Sequence, residues 1–256
     1  GSRPAEQLAS FSHGMPKQRL DVLLVSRGLV DSREQAQRLI LAGEVLVRRQ
    51  PVTKPGTKVD EDWPLEVKNR PRYVSRGGLK LEGALKAFPV KAEGKVCLDI
   101  GSSTGGFTDC LLQHGALRVH AVDVGTNQLV WKLRSDPRVI VREQFNARYM
   151  TPEDLGEKVQ LIVSDVSFIS LTKILPAAYG CLAEGGDLLV LIKPQFELQP
   201  EDIGPGGIVR DPELHRRAVD KIHDFVVNEL HREWMGLADS PIKGMEGNKE
   251  FLAWLR

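Results

Sequence analysis

The sequence predicts an α/β protein, a mostly parallel, doubly wound sheet of seven strands preceded by a small α+β module. Three observations carry that expectation. From Val96 onward, strand-like and helix-like stretches alternate, the rhythm of a parallel sheet with crossover helices. The last two strand-like stretches, "EWMGLAD" and "KEFLAWLR", have no helix between them and should pair antiparallel. Residues 17–68 instead show two short helical patterns and then short β-like pieces.

Composition narrows the class. At 256 residues, 41% hydrophobic and 27% charged, the chain has room for one large domain, or for one medium domain and a small companion. Its three cysteines, Cys97, Cys110 and Cys181, are odd in number and widely spaced. That argues against a disulfide framework and a zinc site, and for a reducing, cytoplasmic compartment. The six histidines show no HExxH spacing, so no metal is expected. The apolar run "LLVLI" is far short of the roughly 18 residues of a membrane helix. Residues 1–16, "GSRPAEQLASFSHGMP", lack the apolar centre of a signal peptide and are expected to be a flexible N-terminal segment or a cloning remnant.

Charge is unevenly spread. Residues 17–72 hold twelve basic and eight acidic side chains, an excess of four, while the whole chain carries only +1. A basic module joined to a faintly acidic one suits a nucleic-acid grip.

In that front module, "LDVLLVSRGLV" places Leu20, Leu23 and Leu24 at helical spacing and Gly28 at the stop. "DSREQAQRLILAG" follows, with Ser32 and Gln35 as a capping box, Ala36, Leu39 and Ile40 as the apolar stripe, and Gly43 at the end. "EVLVR", "TKV" and "PLEVK" read as strands separated by turns. Two helices and a small sheet in about fifty residues resemble the S4 RNA-binding fold. The resemblance implies that Lys17, Arg19, Arg33 and Arg38 touch RNA. "NRPRYV", residues 69–74, reads as a linker, with the second domain spanning 75–256.

The second domain opens its sheet with "KVCLDI" and a glycine turn, "LDIGSSTGGFTD". "RVHAVDV", "RVIVR", "QLIVSDV" and "DLLVLIK" are the next strands. "NQLVWKLRSD", "TPEDL", "TKILPAAYGCLA" and "DPELHRRAVDKIHDFVVNEL" supply the helices. Parallel sheets bind ligands at the carboxyl ends of their strands, where Gly101, Gly105 and Gly106 fall. Their spacing is neither G-x-G-x-x-G nor a phosphate loop. Asp99 precedes the turn, and Asp123 ends the next strand, where a carboxylate can accept ribose hydroxyls. Asp99 would repel a pyrophosphate but not a sulfonium, so the turn fits S-adenosylmethionine better than a dinucleotide.

Asp165 and Lys193 end the fourth and fifth strands and point to the same crevice; the bland reading is a salt bridge between them. Lys80 lies on a helix before the first strand, and Glu250 begins the last one. In this order Lys80, Asp165, Lys193 and Glu250 resemble the K-D-K-E tetrad of RrmJ/FtsJ-type 2′-O-methyltransferases. With "VSRGGLKLEGAL", "VSDVSFISL", "LIKPQFE", "GPGGIVRDPELH" and "SPIKGMEGNKEFL", the chain resembles the TlyA family from Lys17 onward.

The resemblance implies a Rossmann-like class I SAM-dependent methyltransferase domain behind an S4 domain. Its reaction would carry methyl from S-adenosylmethionine to cytidine 2′-hydroxyls of 16S ribosomal RNA, 23S ribosomal RNA or both, with ribosomal subunits as partners and neither membrane nor metal involved. Carried over as cofactor contacts are Gly101, Gly105, Gly106 and Phe107 of the turn, Asp99 before it, Asp123 for the ribose, Asn146 near the adenine, and Asp165. Lys193 is the expected base. A free lysine titrates near ~10.4; Lys80 would lower that value and the two carboxylates would oppose it, so the net direction stays open. "PQFELQPEDIGPGGIVRD" is expected to be a loop able to close over RNA or an inert surface crossing. The rival readings are an inactive RNA-binding assembly factor, a small-molecule methyltransferase, and the lytic toxin suggested by the family's other label, haemolysin.

Overall fold

A computed structural model describes residues 16–256, and the expectation for residues 1–16 falls outside them for all but Pro16. The described chain divides into two compact units between Arg70 and Pro71.

In the first unit, β1 (Lys17–Arg19) leads into α1 (Leu20–Ser26), and α2 (Arg33–Leu41) follows. Then come β2 (Val45–Val47), β3 (Gln50–Pro51), β4 (Lys58–Asp60) and β5 (Leu65–Val67). β3, β2 and β5 form one antiparallel sheet, and β1 pairs with β4 in another. Leu20, Leu24, Ala36, Ile40, Val45 and Val59 make the core, joining the apolar stripe of each helix to the inward side of the strands. The capping box is displaced. Ser32 Oγ accepts from Gln35 N at 3.1 Å, but Gln35 Oε1 accepts from Asp31 N, one residue earlier than expected.

The second unit contains α3 (Gly77–Ala87), β6 (Val96–Ile100), α4 (Gly106–Gln113), β7 (Arg118–Val122), α5 (Trp131–Arg134) and β8 (Val139–Arg142). It continues with α6 (Pro152–Leu155), β9 (Val159–Ser164), α7 (Leu175–Cys181), β10 (Leu182–Ile192), α8 (Pro212–Asp224), β11 (Trp234–Asp239) and β12 (Phe251–Leu255). The sheet order is β11-β12-β10-β9-β6-β7-β8. All neighbours are parallel except β12, which runs against both β10 and β11. The inner strands are buried on both faces, whereas the edge strands β8 and β11 are partly exposed. Along β6, Val96, Leu98 and Ile100 enter one core and Cys97 the other, following the two-residue period of a strand. All three cysteines are free and buried.

Two expectations need correction. The last long helix is α-helical only to Asp224 and widens into a π-turn at Phe225–Glu229, keeping Val226 buried. The end of the expected linker is not a linker. Tyr73 is buried, its hydroxyl donates to Glu82 Oε2 at 2.6 Å, and Val74 N donates to Asp109 Oδ2 at 2.8 Å. These bonds fasten Tyr73 and Val74 to α3 and α4.

Candidate active site

The site forms where the parallel strands end. Asp165 follows β9, and Lys193 follows β10. β12 runs the other way, so its first residues reach the same edge: Phe251 pairs with Ile192, and Glu250 lies beside Lys193's strand end. Lys80 comes from the first turns of α3, which packs against α4 and β12. Four residues spread over 170 positions thus share one cleft of about 520 Å³, whose other wall is the glycine turn at Gly101, Ser102 and Ser103.

The four form two ion pairs. Lys80 Nζ donates to Glu250 Oε1 at 2.5 Å, both side chains being buried. Lys193 Nζ sits 2.6 Å from Asp165 Oδ1, a contact of charges in which Oδ1 has no aligned hydrogen-bond donor. Lys193 donates instead to Ser167 Oγ at 3.0 Å. The salt bridge anticipated as the bland reading exists. It is not sealed, however, because the Lys193 and Asp165 side chains remain 10% and 25% exposed on the cleft. Burial pushes Glu250 above the ordinary carboxylate value; Lys80 and Lys193 oppose the rise and Asp165 adds to it.

Not every expected cofactor residue lies on this wall. Gly101, Gly106 and Phe107 line the cleft, although Phe107 is mostly core. Gly101 is left-handed (φ +79°), and a Cβ there would overlap the Asp165 carbonyl oxygen, so glycine lets the turn close against the β9 end. Gly105 does not line the cleft. It is also left-handed (φ +110°), and its missing side chain leaves room for Leu129 and Leu133.

Asp99 also needs correction. It is fully buried behind the turn and accepts from Thr108 Oγ1 at 2.7 Å, off the cleft. Burial raises its pKa to about 7, with Thr108 opposing and Asp165 and Asp123 adding, so it is no fixed negative charge facing a ligand at neutral pH. Asp123 lies one strand along at the end of β7. It accepts from Ser103 N at 2.7 Å and Gly125 N at 2.8 Å, leaving lone pairs free. Asn146 is exposed and caps a short turn by accepting from Arg148 N at 3.1 Å.

In the first unit, Lys17 and Arg38 are exposed. Arg19 and Arg33 converge on buried Asp21, each at 3.1 Å, with side chains 39% and 54% exposed. The Arg19 hydrogen bond is the main cause holding Asp21 well below the ordinary carboxylate range.

Sequence reasoning assigns no role to Ser167, Glu197 or Asn248. Buried Glu197 accepts from Ser170 Oγ at 2.6 Å and Leu171 N at 2.9 Å, and Lys221 lies 3.2 Å away. It therefore ties the loop after Lys193 to the loop after Asp165. Asn248 accepts from Val209 N and donates to Gly207 O, both at 2.9 Å, joining the "GPGGIV" loop to the segment before Glu250. Neither stands at a strand end, and neither has a spacing that marks it. Among the described residues, no helix is long and apolar enough to cross a membrane, and no cluster of three or more His, Cys, Asp or Glu is placed to hold a metal.

A doubly wound sheet with a reversed β12, a glycine turn after β6 and paired amines and carboxylates at the strand ends defines a methyltransferase-type site. Residues 73–256 match the FtsJ-like methyltransferase family, and residues 18–62 match the S4 domain. The chain belongs to the FtsJ-like methyltransferases, of the TlyA type. It is 48% identical to the 16S/23S rRNA (cytidine-2′-O)-methyltransferase TlyA of Mycobacterium tuberculosis, over 93% of this chain and 89% of that one. It is also 48% identical to hemolysin A of Brachyspira hyodysenteriae, over 92% and 98%. A solved Streptococcus thermophilus structure, 49% identical, superposes with a TM-score of 0.70 over 94% of this chain and 88% of that one.

Proposed function

We propose that this chain is an S-adenosylmethionine-dependent methyltransferase that modifies the ribose 2′-hydroxyl of cytidine in ribosomal RNA. The observation that carries the reading is the convergence of Lys80, Asp165, Lys193 and Glu250 on one open cleft against the glycine turn. The family and the S4 domain support the class of substrate. The cleft fits the cofactor: its volume lies within the roughly 300–1,000 Å³ of small-ligand sites, and its mixed wall joins apolar surface, including Phe107 and Met245, to the backbone and hydroxyls of Gly101, Ser102, Ser103 and Thr104. Gly101, Ser102 and Ser103 would hold the amino-acid end, and Asp123 the ribose hydroxyls. When bound, the cofactor supplies an electrophilic methyl on a positively charged sulfur.

The chain's own groups do the rest. A ribose hydroxyl is a weak nucleophile and must lose its proton as it attacks. Lys193, whose Nζ lies 2.6 Å from Asp165 Oδ1 and opens on the cleft, is placed to take the hydroxyl proton, with Asp165 orienting the amine. Ser167 fixes the direction of the Lys193 amine. Lys80 and Glu250 form the opposite edge, where the buried ammonium stabilises negative charge growing on the hydroxyl oxygen. The two pairs are net neutral, so the site gathers its substrate by shape and position.

The test is to incubate the protein and labelled cofactor with each purified ribosomal subunit and map ribose methylation. Lys193→Ala should lower transfer by roughly 10²–10⁴-fold, the range of a positioned base, and leave cofactor affinity nearly unchanged. Full activity in that variant removes the proposed base, and no methylation of either subunit by the wild-type protein removes the substrate.

A further inference from the structure

The β2–β3 hairpin of the first unit turns on two residues. Val47 pairs with Gln50, so Arg48 and Arg49 alone form the turn. Both are left-handed, with φ +50° and +68°. This is the type I′ pattern, which favours Asn-Gly because a Cβ is strained at both central positions. Folding alone gives no reason to put two arginines there. Residues held in such backbone against their preference mark functional positions more often than neutral ones.

The side chains point the same way. Both arginines are exposed. The Arg48 guanidinium lies over the half-buried Trp63 ring at 4.8 Å, and Arg48 N donates to Pro64 O at 3.0 Å. The Trp63 carbonyl in turn accepts from Arg27 Nη1 at 2.6 Å, which holds the backbone that carries the indole. Stacking holds a guanidinium by its face and leaves its N–H edge open to an acceptor. Neither arginine forms a salt bridge among the described residues, and Glu66, across from Leu46 on β5, is not engaged by either. Arg19 and Arg33, by contrast, are both committed to Asp21.

We infer that the hairpin tip is a further RNA contact of the S4 domain, in which Arg48 and Arg49 take phosphate oxygens beyond the group gathered on Asp21. The inference rests on the reading of the chain as an RNA-binding enzyme. Arginine suits phosphate because its planar fork makes two parallel bonds to one group.

The test is Arg48→Asn with Arg49→Gly, which installs the favoured turn sequence. Urea unfolding and binding to purified ribosomal subunits across a salt series are both measured. The variant should unfold at higher urea, since strain is relieved. Its affinity at low salt should fall by roughly tenfold for each arginine–phosphate bond removed. The log–log salt slope should become shallower by about 1–2. Arg49→Lys, which keeps the charge, should keep the slope. If the wild-type protein binds and the double variant matches it in affinity and slope, the tip is no contact. A wild-type protein that does not bind either subunit overturns the RNA reading, and the tip contact with it.

Discussion

At the scale of single residues, the chemistry is set by which charges are buried with partners. Asp99 is buried beside one hydroxyl donor, and its pKa rises from 3.8 to about 7. Between those values the folded chain keeps a proton that the unfolded chain releases. Its contribution to stability is therefore fully present below about pH 4 and is lost as pH rises through about 7. Asp99→Asn should remove that slope. Compared by urea midpoint at pH 5 and pH 8, the variant should gain on the wild-type protein at the higher pH; an equal difference at both values would contradict the buried proton. Asp165, Lys193 and Glu250 are legible in the sequence because each stands at a strand end, whereas Lys80, on α3, is singled out only by the family resemblance and Ser167 not at all. The Asp165–Lys193 pair is legible too, as the bland salt bridge, but the Lys80–Glu250 pair is not. Sequence reasoning sets Lys80 against Lys193 as a repelling neighbour, whereas Lys80 has its own carboxylate, because β12 runs antiparallel and delivers Glu250 to it.

At the scale of elements, the long alternating segments are readable and the short ones are not. The seven sheet strands are all anticipated, since each carries an apolar run. β1 and β3 have only three and two residues, too short for any alternation, and Arg-Arg carries no turn signal between β2 and β3. Loops that touch through side chains are equally silent, and Glu197 is the case that matters. It spans the loops bearing Asp165 and Lys193, so its loss should loosen their spacing. Misplacement of about 1 Å can cost roughly 10²-fold in rate. Glu197→Ala should lower the single-turnover rate by roughly tenfold to a hundredfold with little change in cofactor affinity. Glu197→Gln, whose amide oxygen can still accept one of the two bonds, should recover part of it. An unaltered rate in the alanine variant would show that the loops hold their spacing without it.

At the scale of the whole chain, charge and chemistry are divided between the two units. Residues 17–72 carry the basic excess, and the cleft lies entirely in the second unit. Methylation at subsaturating RNA should therefore fall steeply with added salt, because phosphate contacts release counterions. Cofactor binding in the cleft should respond much less; parallel salt responses in the two titrations would argue against this division. The sheet order has a consequence for synthesis. β12 is made after β11 yet lies between it and β10, so one side of β10 stays unpaired until β12 arrives. The ribosome must add the residues from 193 to 251 in that interval, roughly 3–12 seconds at about 5–20 residues per second. During those seconds a nascent enzyme presents a long apolar strand edge open to any neighbouring chain, and it has no working centre until that edge is closed.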